Sequence, residues 1–192
     1  MQRIAGRLAG FFAARGYLDP EQREVAAYGF DLLIYTLLST LGLLLAGAVL
    51  GRGMQAALIV GLFYLNQTFG GGFHARTHLR CFATMLLFLL PGVLTGPWHP
   101  AAEAGIALLA LLCLLLKPLV LHPNKRYLED KRQAFVRRSR RIALAEGLLF
   151  AAAFAFLPPG LRHAAAMGLF ASALSRAAGA LQSRGRARRP QP

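Results

Sequence analysis

The sequence predicts an all-α fold: a polytopic transmembrane helical bundle of about six spans, with an N-terminal amphipathic helix. Three observations carry that expectation. Hydrophobic residues make up 56% of the 192 positions, and mean hydropathy is +0.46. Charged residues are only 16%, against roughly 25% in a soluble domain, so lipid is the expected solvent. When the apolar runs are alternated across a membrane from an inside N-terminus, only Arg52 and Arg162 of the 22 Lys and Arg fall outside. That asymmetry is the one the positive-inside rule describes.

The opening "MQRIAGRLAGFFAAR" is not a secretory signal, because Arg3 and Arg7 interrupt its apolar stretch. At about 100° per residue, Ile4, Leu8, Phe11 and Arg15 share one sector, with Arg3 and Arg7 to its side. A helix of that kind suits a membrane surface, or equally packing on the bundle. The amphipathic segment is taken as residues 1–29. Within it, "DPEQ" starts the next helix: Asp19 can cap, Pro20 suits the first helical position and Gln22 is placed for a capping box.

Six apolar segments follow: Phe30–Leu50, Met54–Phe69, Phe82–Trp98, Ala101–Leu121, Ile142–Leu157 and His163–Leu181. A span needs about 20 residues, with a range of roughly 17–25. The first and fourth meet that length. The second, third and fifth are short, and the fifth and sixth are alanine-rich; flanking residues or local thinning can complete them. Gly47 and Gly51 form a G-x-x-x-G pattern that permits close helix approach. The expected organisation is a single integral-membrane domain over residues 1–182 and a basic disordered tail over 183–192. Small-residue patches also suit a homodimer.

The net charge of +14 sits at the ends of the apolar runs. It therefore points to anionic membrane lipid and away from nucleic acid. Cys81 and Cys113 form no spacing motif, so no disulfide framework is expected. Cys113, inside an apolar run, reads as a small buried residue.

The chemistry concentrates in "GGGFHARTHLRC", Gly70 to Cys81, on the predicted cytoplasmic side. A histidine can take a thiol proton so that the thiolate attacks a carbonyl. His78 is three residues before Cys81 and would neighbour it on a helix. His74 is seven before, about 10 Å along a helix axis, and reaches Cys81 only if the chain bends between them. Gly70, Gly71 and Gly72 permit such a bend and could aim amides at an oxyanion; they are equally well read as a plain loop. Arg76, Arg80 and a helix start at Cys81 would favour a thiolate. No Asp or Glu lies in the loop, leaving Asn66 or Gln67 to orient a histidine. A competing arrangement puts His74, His78 and Cys81 on one face as metal ligands of a membrane sensor or transporter. In a third reading the loop is only a turn in a membrane scaffold.

This stretch resembles the accessory gene regulator protein B (AgrB) family of bacterial membrane peptidases. The resemblance rests on Gly71, Gly72, Phe73, His74, Ala75 and Cys81, with six residues between histidine and cysteine, followed by an apolar helix. A second segment matches as well: Pro118, then His122, Pro123, Asn124 and Lys125, then "RRSRR". The resemblance implies a cysteine endopeptidase of the cytoplasmic membrane, with both termini and the active site cytoplasmic. Its partner would be a small AgrD-type quorum-sensing propeptide, cleaved through a Cys acyl-thioester and closed to a thiolactone. It implies Cys81 as nucleophile and His74 as general base, and it calls for no metal and no cofactor. Gln67, Gly71 and Gly72 would hold the oxyanion or position substrate. The basic stretch Lys125 to Arg141 reads as a cytoplasmic loop, whose Lys125, Arg126, Lys131 and Arg132 would bind an acidic leaving segment or equally serve topology alone. The family commonly carries an arginine seven positions before the histidine. Here that position is Gln67, and an amide cannot pair with a carboxylate as arginine does.

Overall fold

The computed structural model describes residues 2–73, 75, 77–120 and 131–187. Among them are seven α-helices and no strand: α1 (Gln2–Ala14), α2 (Arg23–Val49), α3 (Gly53–Gly70), α4 (His78–Leu94), α5 (Pro100–Leu116), α6 (Arg132–Ala153) and α7 (Pro159–Ala187). The chain divides into two compact units, residues 1–45 and 46–192.

In the first unit, α1 buries Ala5 and Ala9, while Ile4 and Phe11 stay exposed. The face that packs is thus made of small residues, and the apolar sector read from the sequence points outward. Phe12 stacks on Phe30 of α2 with ring centroids 5.5 Å apart. The expected helix start is a 3-10 turn over Pro20–Gln22, and α2 begins at Arg23. The Gln22 amide donates to the Asp19 backbone carbonyl at 2.9 Å. Along α2, Leu32, Leu33, Leu37, Leu38, Leu41 and Leu45 are all exposed. With leucine on most of its surface, α2 is long and apolar enough to cross a membrane.

The second unit is built around α7, which packs on α3, α4 and α5. Residues 163–173 of α7 are buried with the sole exception of Phe170. The alanine-rich composition that makes this segment a weak span is what lets three helices approach it. The core joins Ala107, Ala110 and Leu114 of α5, Ala143 of α6, and Ala166, Leu169 and Ala173 of α7. Cys113 flanks this core, its thiol donating to the Ala173 carbonyl at 3.7 Å. Gly47 lies against Ala56 across the turn from α2 to α3. Gly51, at φ +69°, makes that turn and meets no neighbour.

Among the described residues, two helices are long and apolar enough to cross a membrane, Arg23–Val49 and Pro159–Ser183; Arg80–Leu94 and Pro100–Leu116 are apolar but shorter. Two boundaries differ from expectation. Helix α6 starts at Arg132, inside the basic stretch read as a loop. Helix α7 runs to Ala187, past the expected start of the tail at residue 183; arginine is a good helix former, and the single Gly185 costs only about 1 kcal/mol. Residues 188–192 of that tail lie outside the described residues.

Candidate active site

The cysteine loop sits where α3 ends and α4 begins. Helix α4 starts at His78, capped by the Thr77 hydroxyl, which accepts from the Arg80 amide at 3.4 Å. Residues 71–73, 75 and 77 are therefore not helical, and the chain ahead of Cys81 has left the helix path. Cys81 is a free, half-buried cysteine in the first turn of α4. The Ala75 backbone lies close enough to the sulfur to favour its ionised form. His74 itself and Arg76 lie outside the described residues, as does the side chain of His78, whose backbone opens α4 one turn before Cys81.

Cys81 precedes the apolar run starting at Phe82, and burial pushes its thiol above the usual range; the Ala75 amide pulls part of that back. Arg80, one residue before Cys81, is exposed. Burial thus favours the protonated thiol, and attack on a carbonyl calls for a base.

The three glycines are packing residues. Gly70 ends α3 with its Cα against the Arg176 guanidinium, where no Cβ fits. Gly71 has φ +65° and ψ −169°, and its Cα faces the Val120 carbonyl oxygen. Gly72 lies between the Gln67 side-chain oxygen and the Ser175 hydroxyl. From the other side, a Cβ on Gly179 would come within 2.6 Å of the Gly72 carbonyl carbon. The loop is thus pressed flat on α7.

Polar contacts hold it there. The Phe73 amide donates to the Ser175 carbonyl at 2.9 Å and to its hydroxyl at 3.2 Å. The Gln67 amide donates to the same hydroxyl at 2.7 Å. Gln67 is therefore a brace between α3, Gly72 and α7. Asn66, fully buried, donates to both Glu146 carboxylate oxygens at 2.9 and 3.1 Å. The Val120 amide donates to the Gly70 carbonyl at 2.8 Å, so residues 118–120, which lead into the second sequence motif, form a strap against the loop.

Ser175, Arg176, Ser139 and Glu146 are the residues that sequence reasoning missed as site residues. Arg176 counted as a cytoplasmic surface charge, yet it is fully buried. The one available signal was polar residues inside apolar or basic runs, such as the serine in "RRSRR". Of the four basic residues assigned to substrate, Lys131 and Arg132 are exposed where α6 begins; Lys125 and Arg126 lie outside the described residues. Among the described residues, no group of three His, Cys, Asp or Glu comes together to hold a metal ion.

The far ends of the same helices carry a separate polar cluster. Glu103, fully buried, accepts from Arg162 at 2.5 Å and lies 3.2 Å from His163 Nδ1. Arg52 donates to the Val93 and Thr95 carbonyls at 2.5 and 2.9 Å, closing the end of α4. The two basic residues that the charge count left outside are thus bound into structure.

Comparison with family models matches residues 5–175 to the family described as Accessory gene regulator B. Neither the curated proteins nor the solved structures gave a match to this chain.

Proposed function

Because the chain belongs to the accessory gene regulator B family, we propose that it is an integral-membrane cysteine endopeptidase that cuts the C-terminal part from a small AgrD-type propeptide. Family membership supports a role in quorum-sensing peptide processing at a membrane. The endopeptidase chemistry is supported chiefly by one observation: Cys81 is a free, half-buried thiol in the first turn of α4, directly after the loop whose sequence carries His74.

In this reading His74 takes the proton of Cys81 as the sulfur attacks the scissile carbonyl carbon. The Gly72 amide offsets the oxyanion charge and Gln67 holds it in place, whereas the Gly71 amide, expected to share that role, already donates to the Gln67 carbonyl at 3.0 Å. The C–N bond then breaks, His74 returns the proton to the leaving amine, and an acyl-thioester remains on Cys81. A cysteine thiol within the propeptide gives its proton to His74 and attacks that acyl carbon, the bond to Cys81 breaks, and His74 passes the proton to the Cys81 sulfur as a cyclic thiolactone leaves. One thioester replaces another, so the exchange is close to neutral in energy. Exclusion of water from a half-buried thiol at the membrane edge keeps hydrolysis from competing. Lys125, Arg126, Lys131 and Arg132 grip an acidic leaving segment. The chain crosses the cytoplasmic membrane about six times as one domain through residue 182, with its active site and termini cytoplasmic, anionic lipid around it and a homodimer as its assembly.

The test is Cys81→Ala in membranes supplied with a cognate propeptide. Processing should stop while the variant still inserts. Normal processing by the variant ends the proposal.

A further inference from the structure

The cysteine loop and the strap leading to the basic segment are far apart in sequence, yet one side chain holds both. Arg176 donates Nη2 to the Asn66 carbonyl at 2.9 Å and Nη1 to the Pro118 carbonyl at 3.1 Å and the Ser139 hydroxyl at 3.0 Å. Gly70 lies directly on the guanidinium, and the strap closes over it through the Val120 amide and the Gly70 carbonyl. Three acceptors from three separate segments converge on one planar group. An ammonium on a flexible stem cannot span them.

A buried guanidinium is a poor choice if packing alone is wanted, since an apolar residue costs less in a membrane bundle. Its counter-charge is Glu146, linked through Asn66, whose side chain donates to the carboxylate while its backbone accepts from Arg176. Two of the three acceptors belong to the segments flanking the candidate site: the end of α3 and the strap. Resting on the peptidase reading, we propose that Arg176 is a positioning residue for the reaction, holding the cysteine loop and the strap in one register. A propeptide gripped at Lys131 and Arg132, where α6 begins, then presents its carbonyl at a fixed distance from Cys81. Ser175 beside Arg176 fixes Phe73.

The experiment compares the full-length wild-type chain with Arg176→Lys and Ser139→Ala in lipid nanodiscs, using an AgrD-type propeptide as substrate. It reads kcat, KM and amide hydrogen exchange. Arg176→Lys should lower kcat by about tenfold or more, the scale of losing hydrogen bonds to a charged group, with KM little changed. The Val120 and Phe73 amides should lose protection while residues 164–173 of α7 keep theirs. Ser139→Ala, which removes a single acceptor, should lower kcat less and leave KM unchanged. Wild-type kcat in both variants overturns the proposal. So does loss of protection throughout α7 in Ser139→Ala, which would mark a purely structural role. If the wild-type chain fails to cut the propeptide while Arg176→Lys still frees Val120 and Phe73, the peptidase reading falls and the clamp stands.

Discussion

Replacing Gly71 with alanine isolates the geometry of the cysteine loop. Gly71 has φ +65° and ψ −169°, a region open essentially to glycine alone, where another residue costs about 1–3 kcal/mol. The new methyl also lands on the Val120 carbonyl oxygen. The strap must then move, giving up the hydrogen bond from the Val120 amide to the Gly70 carbonyl, worth about 0.5–1.5 kcal/mol. Together these reach about 1.5–4.5 kcal/mol, which lowers the population of the loop's native register roughly ten- to two-thousandfold. Propeptide cleavage by membranes carrying equal amounts of inserted protein is the assay, and the rate should fall within that range. Gly61→Ala is the control: a Cβ there meets nothing within 4 Å in an exposed part of α3, and helix propensity favours alanine by about 0.5–1 kcal/mol. Wild-type cleavage by Gly71→Ala would refute the claim that this backbone conformation matters.

Three further outcomes follow from the same contacts. Burial holds the Cys81 thiol protonated, so its alkylation by iodoacetamide in a His74→Ala chain should rise only at higher pH than for the same cysteine in the denatured chain; coincident profiles would remove the burial argument. Asn66→Leu strips both donors from the buried Glu146 carboxylate and should cost about 1.5–3 kcal/mol, read as thermal melting in detergent, with Glu146→Leu added to it recovering part of the loss. Changing Lys131 and Arg132 to Gln should raise KM for an acidic propeptide and flatten its dependence on salt while sparing kcat; an unchanged KM would leave those exposed charges with a topological role alone.

Apolar composition made the helices legible. The runs at 54–69 and 101–121 became α3 and most of α5, because long uninterrupted apolar stretches have one good solution in lipid. Boundaries were less legible where charge misled. The run "RRSRR" reads as a cytoplasmic loop but lies within α6, its serine turned inward to Arg176. The role of α7 was hidden for a related reason: alanine and glycine score as weakly apolar, while their small size is what makes a hub. At the site, the histidine–cysteine spacing was visible, and so was the need for the chain to bend between them. The clamp was not, because Ser175, Arg176 and Ser139 are 94, 95 and 58 positions from Cys81 in the printed sequence, and no local period links them. Burial of the thiol, which favours its protonated form, was not legible, because flanking arginines are visible in a sequence and burial is not.

The most direct measurement is mass spectrometry of the full-length chain mixed with a propeptide whose own cysteine is replaced by alanine, so that no internal thiol can accept the acyl group. The expected result is an adduct of the propeptide's N-terminal fragment on the peptide containing Cys81, released by hydroxylamine and missing from His74→Ala. Cleavage of the propeptide with Cys81 never carrying an acyl group, even at short times, would contradict the account at its centre.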